Sequence, residues 1–258
     1  MINHSLLRMS SIDTHCHVHM DAAGPEALPA GIAHAVTMGT GPSDWDAVER
    51  WAADERVVPA FGVHPWNGDE AVANEGWAAA LRARLEAHPE ALVGECGLDK
   101  AKGPPMDVQV AILETQLRMA AELRRPVSLH CVRAFGPMLQ LLSRLAKDAS
   151  MAGLPALALH SFTGKPSMAE SLRKIPRLGK RIFFGFAPVI NGRLARIEPL
   201  LRAVPLDRLL LESDRAEAAP CADDLAEMGA IARQHLGDAA SDAQLHANAL
   251  AFLGWQAA

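Results

Sequence analysis

Short runs rich in Val, Ile and Leu recur along the chain, each followed by a turn and then by a longer stretch whose apolar residues return at helical spacing. A pattern that switches repeatedly between these two modes reads as a series of βα units. The apolar runs predict eight strands, at 11–18, 32–38, 57–63, 91–97, 126–132, 156–160, 182–186 and 208–213. Helices are expected at 43–53, 69–87, 106–124, 134–147, 165–174, 194–204, 222–235 and 242–253, with Ser43 and Asp107 as start signals for two of them. Segment 20–29 is too short and too rich in Gly and Pro for more than one helical turn. Eight apolar strands separated by crossover helices imply a parallel sheet buried on both faces, and eight parallel strands can close into an α/β (β/α)8 TIM barrel. The rival arrangement, an open doubly wound sheet, is weakened because no glycine fingerprint for a dinucleotide or a P-loop follows any strand.

Composition narrows the picture. Half of the 258 residues are hydrophobic and 21% are charged, enough to bury a large core. No linker, low-complexity tract or charge block divides the chain, so residues 1–258 are expected to form a single domain. The balance of 25 basic against 30 acidic residues, a net charge of −5, argues against broad phosphate neutralisation along a duplex and leaves local phosphate binding open. No apolar run approaches the roughly 18 residues of a membrane span, and residues 1–10 lack the apolar stretch of a signal peptide. The expectation is a cytoplasmic protein with no membrane partner and no obligate protein partner evident. Four cysteines without a CxxC pair indicate neither a disulfide framework nor a zinc ribbon, and reduced thiols are expected.

The candidate chemistry collects at the carboxyl ends of the predicted strands, where barrel enzymes place their sites. The segments are Asp13-Thr14-His15-Cys16-His17, Gly62-Val63-His64-Pro65, Gly94-Glu95-Cys96-Gly97-Leu98-Asp99, His130-Cys131-Val132-Arg133, His160-Ser161-Phe162-Thr163-Gly164 and Glu212-Ser213-Asp214. Side chains alternate along a strand, so His15 and His17 face one way as a chelate while Cys16 faces the other. With Glu95, His130, His160 and Asp214 from four further strand ends, the set suits Zn²⁺, Mn²⁺ or a related ion rather than Ca²⁺. Six ligands exceed the three that one catalytic zinc usually takes, so two ions are expected, and the two oxygens of Glu95 could bridge them. The plainer alternative, histidines merely hydrogen-bonded across the barrel, leaves many buried polar groups to satisfy. Cys16, Cys96 and Cys131 are expected to pack against helices, and Cys221 carries no partner signal. His64 suits a substrate contact or a turn, Arg133 a phosphate or a rim ion pair, and Asp99 and Lys100 are expected to pair. His4, His88, His235 and His246 read as surface residues, and His19 and His34 are undetermined.

These segments together resemble the TatD family of metal-dependent hydrolases, in the amidohydrolase-like superfamily. Asp13-Thr14-His15-Cys16-His17 is similar to the family's DxHxH, Gly62-Val63-His64-Pro65 to its GxHP, and Gly94-Glu95-Cys96-Gly97-Leu98-Asp99 to its GExGLD. Gln109 and Gln116 match paired glutamines of the fourth helix, residues 126–133 resemble PVxxHxR, and His160-Ser161-Phe162-Thr163-Gly164 resembles HxFxG. Leu211-Glu212-Ser213-Asp214 is similar to LxETD, and Asn248-Ala249 to the closing Asn-Ala. The resemblance implies a distorted TIM barrel acting on phosphodiesters, commonly a deoxyribonuclease that trims DNA from the 3′ end. It implies two divalent ions (Mg, Mn or Zn), one held by His15, His17, Glu95 and Asp214, the other by Glu95, His130 and His160. Asp214 and Glu95 would be the catalytic residues, Asp214 orienting water and taking its proton, while His64, Arg133 and Lys165 would bind substrate. DNA ends or oligonucleotides suit the mouth better than a duplex. Two departures touch the rim: Arg215-Ala216 stands where the family has Ala-Pro, and Lys100 where it has an aromatic. Rival readings are an amidohydrolase-like enzyme cleaving a C–N or C–O bond of a small molecule, and a non-catalytic barrel scaffold.

Overall fold

Runs that are apolar on both sides are satisfied only in a sheet covered on both faces, and all eight become parallel strands of one sheet. The computed structural model describes residues 11–195 and 197–256. The strands are β1 (Ser11–Cys16), β2 (Ile32–Met38), β3 (Val57–Phe61), β4 (Leu92–Asp99), β5 (Val127–Val132), β6 (Leu157–Leu159), β7 (Ile182–Phe186) and β8 (Leu209–Leu211), and they lie side by side in chain order. The helices are α1 (Trp45–Trp51), α2 (Gly68–Ala73), α3 (Trp77–Ala87), α4 (Met106–Leu123), α5 (Phe135–Leu145), α6 (Pro166–Arg173), α7 (Pro188–Asn191), α8 (Ile197–Ala203), α9 (Cys221–Leu236) and α10 (Asp242–Leu253). No backbone ladder joins β8 to β1. The seam is closed at its carboxyl end, where Asp214 N donates to His15 O (3.0 Å), His17 N to Arg215 O (2.6 Å) and Thr14 Oγ1 to Leu211 O (2.9 Å). The result is a nearly closed, distorted barrel. No helix among the described residues is long and apolar enough to cross a membrane.

Alternation along the strands sorts the apolar residues into two layers. Val36, Met38, Val58, Ala60, Ala158, Phe183 and Leu210 fill the interior, and Ala249, Phe252 and Leu253 of α10 pack beneath them. Asn248 anchors that helix by donating to the carbonyls of Leu206 (2.7 Å) and Leu209 (2.8 Å) at the entry to β8. Leu129, Leu157, Leu159, Phe184 and Phe186 face outward onto residues of α4 and α5 such as Leu113, Leu117, Met138 and Leu142. Each such fully buried side chain contributes roughly 1.5–3 kcal/mol by removal from water. Gly97 is required where β4 meets β5, because a Cβ there would lie 2.0 Å from His130 O.

Several element boundaries depart from the expectations. Predicted helix 69–87 is two helices, broken where Asn74 Oδ1 accepts the Gly76 amide (3.0 Å), a local bond that competes with the helix. Ser43 caps nothing: Asp44 precedes α1 and turns its carboxylate back to the Thr40 and Gly41 amides. Asp107 sits in the first turn of α4 rather than at its cap, which is Pro105. Predicted helix 194–204 shortens to α8, and the short α7 ahead of it was not expected. The strand predicted at 11–18 ends at Cys16, followed by a 3₁₀ turn at Val18–Met20. His4, the expectation for residues 1–10 and Arg196 of helix 194–204 lie outside the described residues.

Candidate metal centre

The carboxyl ends of β1, β4, β5, β6 and β8, with the segment after β3, bring His15, His17, His64, Glu95, His130, His160 and Asp214 to one place. His15 Nε2 lies 3.6 Å from Glu95 Oε2 and 3.7 Å from Asp214 Oδ1, and His17 Nε2 lies 3.3 and 3.6 Å from the same two oxygens. That spacing matches the edge of a tetrahedron whose corners stand about 2.1 Å from its centre, an ordinary Zn–N or Zn–O length. The other oxygen of Glu95 faces a second group: Oε1 is 2.8 Å from His130 Nδ1, 2.8 Å from His160 Nε2 and 3.4 Å from His64 Nε2. One buried carboxylate thus joins two clusters of donors through its two oxygens.

Three of the imidazoles are aimed by a hydrogen bond at the other nitrogen, as second-layer partners commonly aim metal ligands. His15 Nδ1 pairs with Ser128 Oγ (2.8 Å), His17 Nδ1 with Met38 O (2.9 Å) and His130 Nε2 with Asp99 Oδ2 (3.3 Å). His160 Nδ1 looks toward Glu212 Oε1 at 3.7 Å, and Glu212 accepts the Ser161 amide. Gly185 makes room for this carboxylate, because a Cβ there would lie 2.0 Å from Glu212 Oε2. The His15 and His160 rings stack at 3.9 Å.

The donors fit a divalent ion. His15 Nε2 is fully buried and has no hydrogen-bond partner, although it points at two carboxylates. Neutral imidazole and carboxylate are the donor types that Zn²⁺ and Mn²⁺ accept. Burial alone would raise the Glu95 carboxyl, but His160, His64 and the bonds from His130 and His15 hold it well below the usual carboxylate range. Burial pushes His15 and His64 down. Burial likewise opposes charge on His160 and His17, but the neighbouring carboxylates outweigh it and raise both. Asp13 is driven up to about 7 by burial, and its Oδ1 ties β1 to β8 by accepting the amides of Ser213 (3.0 Å) and His15 (3.2 Å). Asp214 stands in the left-handed region at φ 56°, as do Ser161 (40°) and Arg133 (53°), so three residues at the mouth adopt a conformation rare outside glycine. Asp214 Oδ2, on the side away from His15 and His17, accepts the Ser161 hydroxyl at 3.2 Å.

The remaining residues singled out by the sequence fall on either side of expectation. His64 is 5% exposed and faces into the second cluster, while its Nδ1 also accepts the Trp66 amide. Arg133 and Lys165 are exposed at the mouth and form no ion pair among the described residues. Asp99 does not pair with Lys100. It accepts Trp66 Nε1 (2.6 Å) and meets His130, because its side chain turns inward at the end of β4. Arg215 is engaged by Asp224 of α9 (2.5 and 3.2 Å). Gln116 pairs with both backbone groups of Val63, and Gln109 with those of Asp99, so α4 sets the segments carrying His64 and Asp99. All four thiols are free and buried away from the donors, and burial pushes Cys131 and Cys221 up to about 12. His19 is buried between Thr37 and Asp44, and His34 packs on Trp255. His88 lies half-buried between Glu49 and Glu90, His235 stands 3.7 Å from Glu198, and His246 is half-buried with no partner at Nδ1. Ser128, Asp99 and Glu212 were not anticipated as supports, since only the pairing of strands brings them to the histidines.

Comparison with known proteins places the chain in a wider group. The family described as TatD related DNase matches residues 12–231. The 3′-5′ ssDNA/RNA exonuclease TatD of Cronobacter sakazakii is 33% identical over 193 residues, 73% of this chain and 68% of that protein. The Cut9-interacting protein scn1 of Schizosaccharomyces pombe is 27% identical over 81% of this chain and 88% of its own length. The crystal structure of YjjV, a TatD homologue from Escherichia coli, shares the fold with a TM-score of 0.79 over 96% of this chain and 100% of that one, at 22% identity.

Proposed function

The chain belongs to the TatD-related DNase family, and from that premise we propose that it is a divalent-metal-dependent phosphodiesterase, a deoxyribonuclease that trims the ends of single-stranded DNA. The observation that carries this reading is Glu95, whose two oxygens address two separate donor clusters. His15, His17, Glu95 and Asp214 would hold one ion, and Glu95, His130 and His160 the other, with Mg²⁺, Mn²⁺ or Zn²⁺ as candidates. When bound, such ions acidify water from a pKa of about 15.7 toward about 7 and place positive charge against phosphoryl oxygens.

The chain's own groups supply the rest. Asp214 Oδ2, oriented by Ser161, takes the proton of the attacking water. His64, at the inner wall beside the second cluster with Nε2 3.4 Å from Glu95 Oε1, would contact a phosphodiester as it enters. Arg133 and Lys165 hold the substrate phosphate from the rim. With a net charge of −5 the protein as a whole does not attract nucleic acid, so contact is confined to a strand end at the mouth. The continuous eight-stranded sheet supports one catalytic unit, and four unpaired thiols support a reducing, cytoplasmic setting.

The test is nucleotide release from a labelled single-stranded oligodeoxynucleotide with each of the three ions. Asp214→Asn and Glu95→Gln are each expected to lower turnover at least ~100-fold while leaving the circular dichroism spectrum unchanged. No release with any ion, alongside turnover of an amide or lactone, overturns the reading in favour of a small-molecule hydrolase.

A further inference from the structure

Resting on the nuclease reading, we propose that the Trp66 indole is the platform on which the terminal base of the single strand stacks, with Lys102 receiving that nucleotide's phosphate. Among the described residues, the exposed large apolar side chains are Met20, Trp66, Val72, Val189 and Ile190. Met20, Trp66, Val189 and Ile190 lie in the short segments that directly follow β1, β3 and β7, at the carboxyl-terminal face that carries the donor clusters, while Val72 lies in α2. Scattered exposed apolar residues need no explanation, but Trp66 is both exposed, at 47%, and pinned. Its Nε1 donates to the buried Asp99 carboxylate (2.6 Å), its amide donates to His64 Nδ1 (3.1 Å), and its ring meets His64 edge-on at 4.9 Å. The His130 ring stands 6.2 Å away, so an aromatic group on Trp66 is next to the second donor cluster. A ring fixed in advance loses little freedom when a ligand stacks on it.

One face of the indole already carries a cation. Lys102 Nζ lies 3.9 Å from the ring centroid, and Lys102 forms no ion pair among the described residues. A base taking that face releases the ammonium to the adjoining phosphate, exchanging a cation–π contact for a charge-assisted one. Stacking tolerates any base, which suits an enzyme that removes successive nucleotides. The platform therefore selects nucleic acid over phosphodiesters lacking a base.

The experiment compares single-stranded oligodeoxynucleotides ending in normal or abasic nucleotides, at saturating divalent ion. The unmodified protein is expected to show a KM about tenfold lower for the base-bearing end. Trp66→Ala should bring the ratio of the two KM values near one, whereas Trp66→Phe, which keeps a ring and loses the bond to Asp99, should preserve it. An unmodified protein indifferent to the base, or a ratio unaltered in Trp66→Ala, overturns the proposal. So does a ratio lost as fully in Trp66→Phe, which would assign the effect to the Asp99 bond. Failure of the unmodified protein to cleave either oligonucleotide with any of the three ions refutes the nuclease reading itself.

Discussion

His15 illustrates how much a single position depends on its neighbours. Its Nε2 points at two carboxylates, and among the described residues the hydrogen bond at its other nitrogen comes from the Ser128 hydroxyl, 2.8 Å from Nδ1. Both residues are essentially excluded from solvent, so water cannot replace the hydroxyl without a cavity. Ser128→Ala is expected to weaken divalent-ion binding about 10–100-fold, the usual cost of losing an outer partner, with strand content unchanged. Competition against a chromophoric chelator measures this, and an affinity within twofold of the original would refute the positioning role. The cysteines show the opposite case. Cys16 and Cys96, each one residue from a proposed ligand, point into apolar layers where burial raises their thiols, and they take no part in the donor clusters.

At the scale of elements, β1 and β4 share a device. Ile12 and Leu92 pack inside the barrel, yet Cys16 and Cys96, an even number of residues later, pack in the outer layers. Strict alternation would keep each pair on one side. The side changes where the register shifts, between Asp13 and Cys16 in β1 and between Val93 and Cys96 in β4. These irregularities turn His15, His17 and Glu95 inward, the re-aiming that bulges perform near active sites. In β5, β6 and β8 the alternation is regular, and His130 and His160 follow from it. On the outer face, Glu114 of α4 joins Arg144 of α5 (2.5 Å) and Arg118 (2.8 Å), and Arg144 leads the effects that hold its carboxyl down at about 2. A depressed folded-state pKa stabilises above the ordinary value near 4.5, and that stabilisation fades as pH falls toward about 2. Glu114→Gln should therefore lower stability at pH 7 by about 1 kcal/mol or less, with the gap to the original protein narrowing at pH 3. Urea midpoints at the two pH values test it, and a gap that widens in acid would be the wrong sign.

For the molecule as a whole, ligands drawn from five strands and a seam closed by Asp214, His15, His17 and Arg215 make the donor clusters a product of barrel closure. An ion that binds only the folded state raises stability by about 2.7 kcal/mol at a hundredfold excess over Kd, or about 5–10 °C in Tm for a chain of this size. Added Mn²⁺ or Zn²⁺ should raise Tm by that order, a chelator should reverse it, and Glu95→Gln should abolish most of the shift. An equal shift in Glu95→Gln would place the ions elsewhere.

Strand number, parallel order, the interior and exterior sides of β5, β6 and β8, and the residue types able to bind divalent ions were all readable from the chain, because periodicity and ligand chemistry are local properties. That His15 and His17 lie together was readable too, from their spacing of two residues, although β1 ends at Cys16 and the register shift in it turns them inward. The break at Asn74 is also local, a bond between residues two apart that apolar periodicity does not register. Three things were decided only by assembly. The register shifts in β1 and β4 depend on neighbouring strands. The division of Glu95 between two donor clusters, and the pinning of Trp66 by Asp99, join residues 31 or more positions apart. Contacts at such separations arise from closing the barrel, and no window along the chain contains both partners.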